Sequence, residues 1–98
     1  MHTFVHWIVS IVWDARKSAS NTSKHGVRFV DAVLVFEDPL SLTVADDESD
    51  PTEQRFVTVG ADASGRILVV VYTWRGDDIR LISARKADPH EREAYEKQ

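Results

Sequence analysis

The chain has no cysteine and one methionine among its 98 residues. Disulfides and thiolate metal sites are therefore excluded. It has four glycines, all scattered, so no glycine-rich loop can cradle a phosphate. The apolar run at residues 4–13 is broken by His6 and Ser10. That run is far short of a membrane span, and no Lys or Arg precedes it as in a signal peptide. The expectation is no membrane association and a cytoplasmic location. Metal-ligand spacing is also missing. His2 and His6 stand four apart, which suits a helix, but their segment reads as a strand and no carboxylate completes the set. No metal and no cofactor is expected. Ser83 lacks evident His and Asp partners that would make it a nucleophile.

What is present describes one ordinary globular domain over residues 1–98. The hydrophobic fraction of 43% and charged fraction of 29% fit a single packed core. The net charge of −4 argues against nucleic acid until its distribution is read. Residues 37–54 hold seven acids and no base, while residues 1–36 and 55–92 are each net +2. The acidic excess sits in one segment, which leaves room elsewhere for a local cationic site. The acidic loop at 45–53 reads as a solubility element.

Residues 4–13 read as one strand, rich in Val, Ile and aromatics. Asp14 caps a helix running to about Lys24, weak because Ser18, Ser20, Asn21, Thr22 and Ser23 are poor helix formers. Gly26 closes it at the left-handed position glycine adopts without strain. A second helix places Phe29, Val33 and Phe36 on one face and ends before Pro39. Residues 54–60, 66–74 and 78–85 read as an antiparallel meander turning at Ser64-Gly65 and Gly76-Asp77. The run 66–74, apolar on both faces, should be central. Asp88, Pro89 and Glu91 open a last helix with a capping box. The order is β-α-α-β-β-β-α, an α+β domain with an antiparallel sheet packed against helices.

Chemistry gathers at two places. Lys24 and His25 stand where the first helix stops. A cation beside a group titrating near neutrality suits phosphate chemistry, though both also suit a helix C-terminus as solvated cations. Arg55, Arg66, Arg75, Arg80 and Arg85 lie on or beside the meander, and guanidinium forks bind phosphate oxygens in pairs. Arg66 and Arg75 flank turns and read as solvated. Regular alternation sets Arg80 and Arg85 on opposite faces, so both join one site only through a bulge or at the strand end. Trp7, Trp13 and Trp74 have the surface to stack bases, but Trp13 at the strand-to-helix junction reads as structural. His90 reads as a surface residue.

The run Trp13-Asp14-x-x-Lys17-x-x-x-Asn21-x-x-Lys24-His25-Gly26-Val27-x-Phe29, then Ala32 and Val35-Phe36-x-Asp38-Pro39, resembles the BrnT-type toxins of bacterial toxin–antitoxin pairs. So do Arg55-x-x-x-x-Gly60, Arg80-x-Ile82-Ser83-Ala84-Arg85-x-Ala87, Glu91 and Tyr95. The resemblance spans residues 12–96. It implies a fold similar to the RelE/ParE superfamily and a metal-independent ribonuclease that slows growth. It also implies a BrnA-type antitoxin that masks the toxin and carries the contact to operator DNA. The expected assembly is a toxin dimer, or two toxins with two antitoxins. Lys24, His25, Arg55, Arg80 and Arg85 fall on the family's motif residues, while Trp13, Asn21, Gly26, Phe29 and Pro39 suit scaffold roles. The chain departs from the family in about ten extra residues, 1–10. It also has Asp88-Pro89-His90 where many members are more basic.

The resemblance implies attack of a ribose 2′-hydroxyl on its own 3′-phosphate. His25 would transfer a proton, Lys24, Arg55 and Arg80 would stabilise the phosphorane, and Arg85 is a further candidate. The rival reading is an inactive module of the same fold that only binds the antitoxin. A third, gyrase poisoning, predicts DNA damage without RNA loss.

Overall fold

In the chain's computed structural model, residues 2–6, 9–46 and 52–98 are described. The sheet has six strands: β1 (His2–His6), β2 (Val9–Trp13), β3 (Leu42–Asp46), β4 (Arg55–Ala61), β5 (Ile67–Arg75) and β6 (Asp78–Lys86). Their spatial order is β1-β2-β6-β5-β4-β3. Every pairing is antiparallel except β2 with β6. Among the described residues three α-helices complete the α+β domain: α1 (Ala15–His25), the single turn α2 (Phe29–Ala32) and α3 (Pro89–Glu96). Among the described residues no helix is long and apolar enough to cross a membrane.

Three expectations need correction. Residues 4–13 are not one strand but parts of a hairpin, in which His2 pairs Trp13 and His6 pairs Val9. No Gly, Pro, Asn or Asp stands between the two strands, so the sequence gives no punctuation there; Trp7 lies outside the described residues. The second helix is one α-turn followed by a 3₁₀ segment, Val33–Glu37. Its β-branched Val33 and Val35 are both buried, and the tighter winding suits a short run stopped by Asp38-Pro39. A further strand, β3, precedes the meander and takes in Ala45 and Asp46, where the sequence predicts loop. Residues 47–51 of the acidic segment lie outside the described residues.

The core lies between α1, α2, the 3₁₀ segment and one face of the sheet. Val27, Phe29, Ala32 and Val35 from the helical side meet Ile11, Leu68, Val70, Leu81 and Ala84, all essentially without solvent contact. Tyr72 joins Phe36 edge-on and stacks on Phe56, and its hydroxyl hydrogen-bonds Thr58 at 2.8 Å. Gly60 marks the closest approach of 3₁₀ segment and sheet. A Cβ there would stand 2.8 Å from Val35 Cγ1 and 3.1 Å from Ser41 Cβ.

The helix α3 has no buried residue and is fixed by polar ties. Asp88 caps it, accepting from Glu91 N at 2.8 Å, while Glu91 Oε1 accepts from Asp88 N at 2.9 Å. Tyr95 donates its hydroxyl proton to Asp38, which also accepts from the amides of Ala61 and Leu40.

Candidate active site: a cationic cleft at the end of the first helix

The site begins with how α1 is held. Asp14 Oδ1 accepts from the amides of Arg16 at 2.7 Å and Lys17 at 3.4 Å. The Arg16 hydrogen bond is the main cause of its lowered carboxyl pKa. At the other end Gly26 takes φ 71° and its amide donates to Thr22 at 2.8 Å, as the sequence predicts. The one buried residue of α1 is Asn21. Its Nδ2 donates to the carbonyls of Val27 and Ala84, both at 2.8 Å, and its Oδ1 accepts from Ala84 N at 3.1 Å. The pairing of β2 with β6 ends at Arg80. Beyond it the Asn21 carboxamide gives Ala84 the donor and acceptor that a neighbouring strand would supply.

This seats α1 beside β6 and opens a cleft of about 290 Å³ lined by Lys17, Ser20, Asn21, Lys24, His25, Ile82 and Ser83. Two lysines and a histidine line it, and no carboxylate does. A larger groove of about 560 Å³ lies elsewhere, between Trp13, Ala15, Ala19 and Val30. It is bigger but mostly apolar, so volume does not locate the chemistry. Trp13 is buried at its base, in the structural role expected of it.

The arginines depend on a bulge. Val71 of β5 pairs Ser83 and Tyr72 pairs Leu81, which leaves Ile82 as the extra residue of β6. Side chains alternate along a strand, so one extra residue inverts the phase of all that follow. Arg80, Ser83 and Arg85 pair Thr73, Val71 and Val69, three residues of one face of β5. The bulge that alternation required for Arg80 and Arg85 to share a face is present. Arg55 also pairs Thr73, so Arg55, Thr73 and Arg80 form one row across three strands. Ser83 belongs both to this face and to the cleft. Its partner Val71 stands two residues from Thr73, about 7 Å along the strand. Cleft and arginine row therefore adjoin at β6.

The candidate cations differ in what they already hold. Among the described residues the side chains of Lys17, Lys24, His25 and Arg80 make no hydrogen bond or ion pair. Arg85 is committed: it grips Glu91 with two hydrogen bonds, of 2.7 and 2.8 Å. That contact chiefly raises the Arg85 pKa and lowers that of Glu91. Arg66 is not the solvated residue predicted. Its Nε donates to the buried Asp62 at 2.8 Å and its Nη1 to the Gly26 carbonyl at 3.3 Å, which pins the α1 terminus to the β4–β5 turn. Arg75 is exposed as expected, though it reaches Glu53 at 3.3 Å. Sequence reasoning gave Lys17 no chemical role. The available signal was its seven-residue spacing from Lys24, two helical turns on one side of α1.

A family model described as the ribonuclease toxin, BrnT, of a type II toxin–antitoxin system matches residues 13–91. Among solved structures, the ribonuclease toxin BrnT of Brucella abortus is similar, at 30% identity and a TM-score of 0.62. That match covers 80% of this chain and 95% of the Brucella chain. No curated protein sequence matches. The chain is thus a toxin of the type II toxin–antitoxin class, built as a small α+β domain. Within that class it belongs to the BrnT family of ribonuclease toxins.

Proposed function

We propose that this toxin cuts RNA without a metal, using the cleft at the end of α1 and the arginine row beside it. One observation supports this above the others: Lys24, His25 and Arg80 line or adjoin one depression and keep their side chains unengaged among the described residues. In the reaction a ribose 2′-oxygen bonds to its own 3′-phosphorus as the 5′-oxygen of the next nucleotide leaves. The products are a 2′,3′-cyclic phosphate and a 5′-hydroxyl. One proton leaves the 2′-hydroxyl and one reaches the departing oxygen, and His25 carries one of them. Lys24, Arg80 and Arg55 stabilise the charge that builds on the phosphorane oxygens. Arg85 enters this set only if Glu91 releases it.

RNA cleavage would arrest growth, and a BrnA-type antitoxin would prevent it by covering the cationic face. Operator DNA would be reached only through that antitoxin. The rival reading, an antitoxin-binding fold that no longer cuts, draws on the Arg85–Glu91 pair, since one of the five motif cations is already neutralised. Induced expression of wild type beside Lys24→Ala and Arg80→Ala decides between them, with growth followed and total RNA run on a gel. Arrest with RNA breakdown in wild type, relieved in either variant and unaffected by chelator in a purified reaction, is the expected result. A folded wild type that leaves RNA whole favours the binding module.

A further inference from the structure

Within the ribonuclease reading, on which this rests, we infer that Lys17 is a second phosphate-binding group. It would hold a phosphate of the RNA other than the one being cut. Lys17 and Lys24 lie seven residues apart on α1 and line the same cleft. Seven residues of helix advance about 10.5 Å, which sets the two ammonium groups over separate backbone phosphates. Lys24 shares its end of the cleft with His25, so the scissile phosphate belongs there. Ser20 lies between the lysines, and the cleft has no acidic residue to compete with an anion.

The position of Lys17 argues against a structural role. It stands in the first turn of α1, where the helix dipole disfavours cations, with Arg16 beside it and no acid in that turn. Its side chain makes no ion pair or hydrogen bond among the described residues and is exposed. A helix selected only for stability would place a carboxylate there. Within the protein the N-cap carboxylate of Asp14 attracts this cation through space, without an ion pair, and the surface left for a partner is the cleft.

The test measures binding of a short single-stranded RNA, 2′-O-methylated so that it cannot be cut, across a range of salt concentrations. Each phosphate neutralised on a single strand contributes about 0.7 to the slope of log affinity against log salt. Lys17→Gln should weaken binding several-fold and lower that slope by about 0.7, without lowering Tm. Lys17→Arg should restore both. Lys97→Gln changes net charge equally but lies at the far end of the chain, and it controls for long-range charge. In the Lys17→Gln, Lys24→Gln double variant the slope losses should add, because the two residues meet different phosphates. A slope equal to wild type in Lys17→Gln, or one no different from the Lys97→Gln control, overturns the inference. So does a double variant that loses no more slope than one single variant. A wild type that binds no RNA at low salt overturns the ribonuclease reading itself, a result visible before any variant is made.

Discussion

Asn21 and Ala84 are joined at both polar atoms of the Ala84 backbone, the amide donating at 3.1 Å and the carbonyl accepting at 2.8 Å. A side chain of α1 therefore substitutes for a strand along β6. Asn21→Ala leaves Ala84 N–H and the carbonyls of Ala84 and Val27 without these partners in a buried setting. A loss of about 2–4 kcal/mol is expected, from the cost of buried unsatisfied groups. Thermal melting should show a Tm drop on the order of 10 °C or more for a domain of this size. Asn21→Asp should be no better, because a carboxylate cannot donate to either carbonyl.

Lys24→Ala, His25→Ala and Arg80→Ala remove side chains with no partner among the described residues. Each should leave stability within about 0.5 kcal/mol of wild type. RNA cleavage, followed by the appearance of cyclic-phosphate ends, should fall by about 100-fold or more where proton transfer or charge stabilisation is lost. An unchanged cleavage rate in folded His25→Ala removes that residue from the reaction.

Acid should destabilise the fold through three carboxyls. For Asp38 and Asp62 burial raises the pKa, but hydrogen bonds, led by Tyr95 and Arg66 respectively, outweigh it and leave both below the ordinary 3.8. Glu91 is held below 4.5, first by Arg85. A folded-state pKa below the unfolded one gives stability that is complete above the unfolded value. That stability is lost as pH falls through the folded value. Tm should hold above about pH 5 and decline below about pH 4. Asp62→Asn should start less stable and show a shallower decline, and a decline as steep as wild type would exclude Asp62 from it.

The two glycines with structural reasons predict different penalties. Gly26 has φ 71° and open space around it, so Gly26→Ala carries only the left-handed penalty of about 1 kcal/mol. Gly60 has no such backbone constraint, but its Cβ would press on Val35 and Ser41. Gly60→Ala should cost about 1–3 kcal/mol as overpacking. Urea midpoints of the two variants rank them.

Much of the fold was legible because its signals are local. Asp14 and Gly26 bound α1 as capping chemistry dictates, Asp88 and Glu91 open α3 with the predicted box, and residues 67–75 lie centrally as their two-sided apolarity requires. What stayed hidden depends on pairing between distant segments. β3 becomes a strand because β4 offers it an edge, and the sequence between β1 and β2 carries no turn-forming residue. The bulge at Ile82 has no sequence mark and exists only in the register with Val71 and Tyr72. The candidate site residues could be named from their types and the motif. That Arg85 is held by Glu91 and Arg66 by Asp62 required the fold.

The Ile82 bulge makes β6 a two-position device. Everything before it keeps its side of the sheet, and everything after it is swapped. Were Ile82 instead taken into the ladder opposite Val71, Arg85 would pair Leu68 on the core face and lose Glu91, while Arg80 stayed in place. One unpaired residue thus sets which cations this sheet offers together, with no charged residue exchanged.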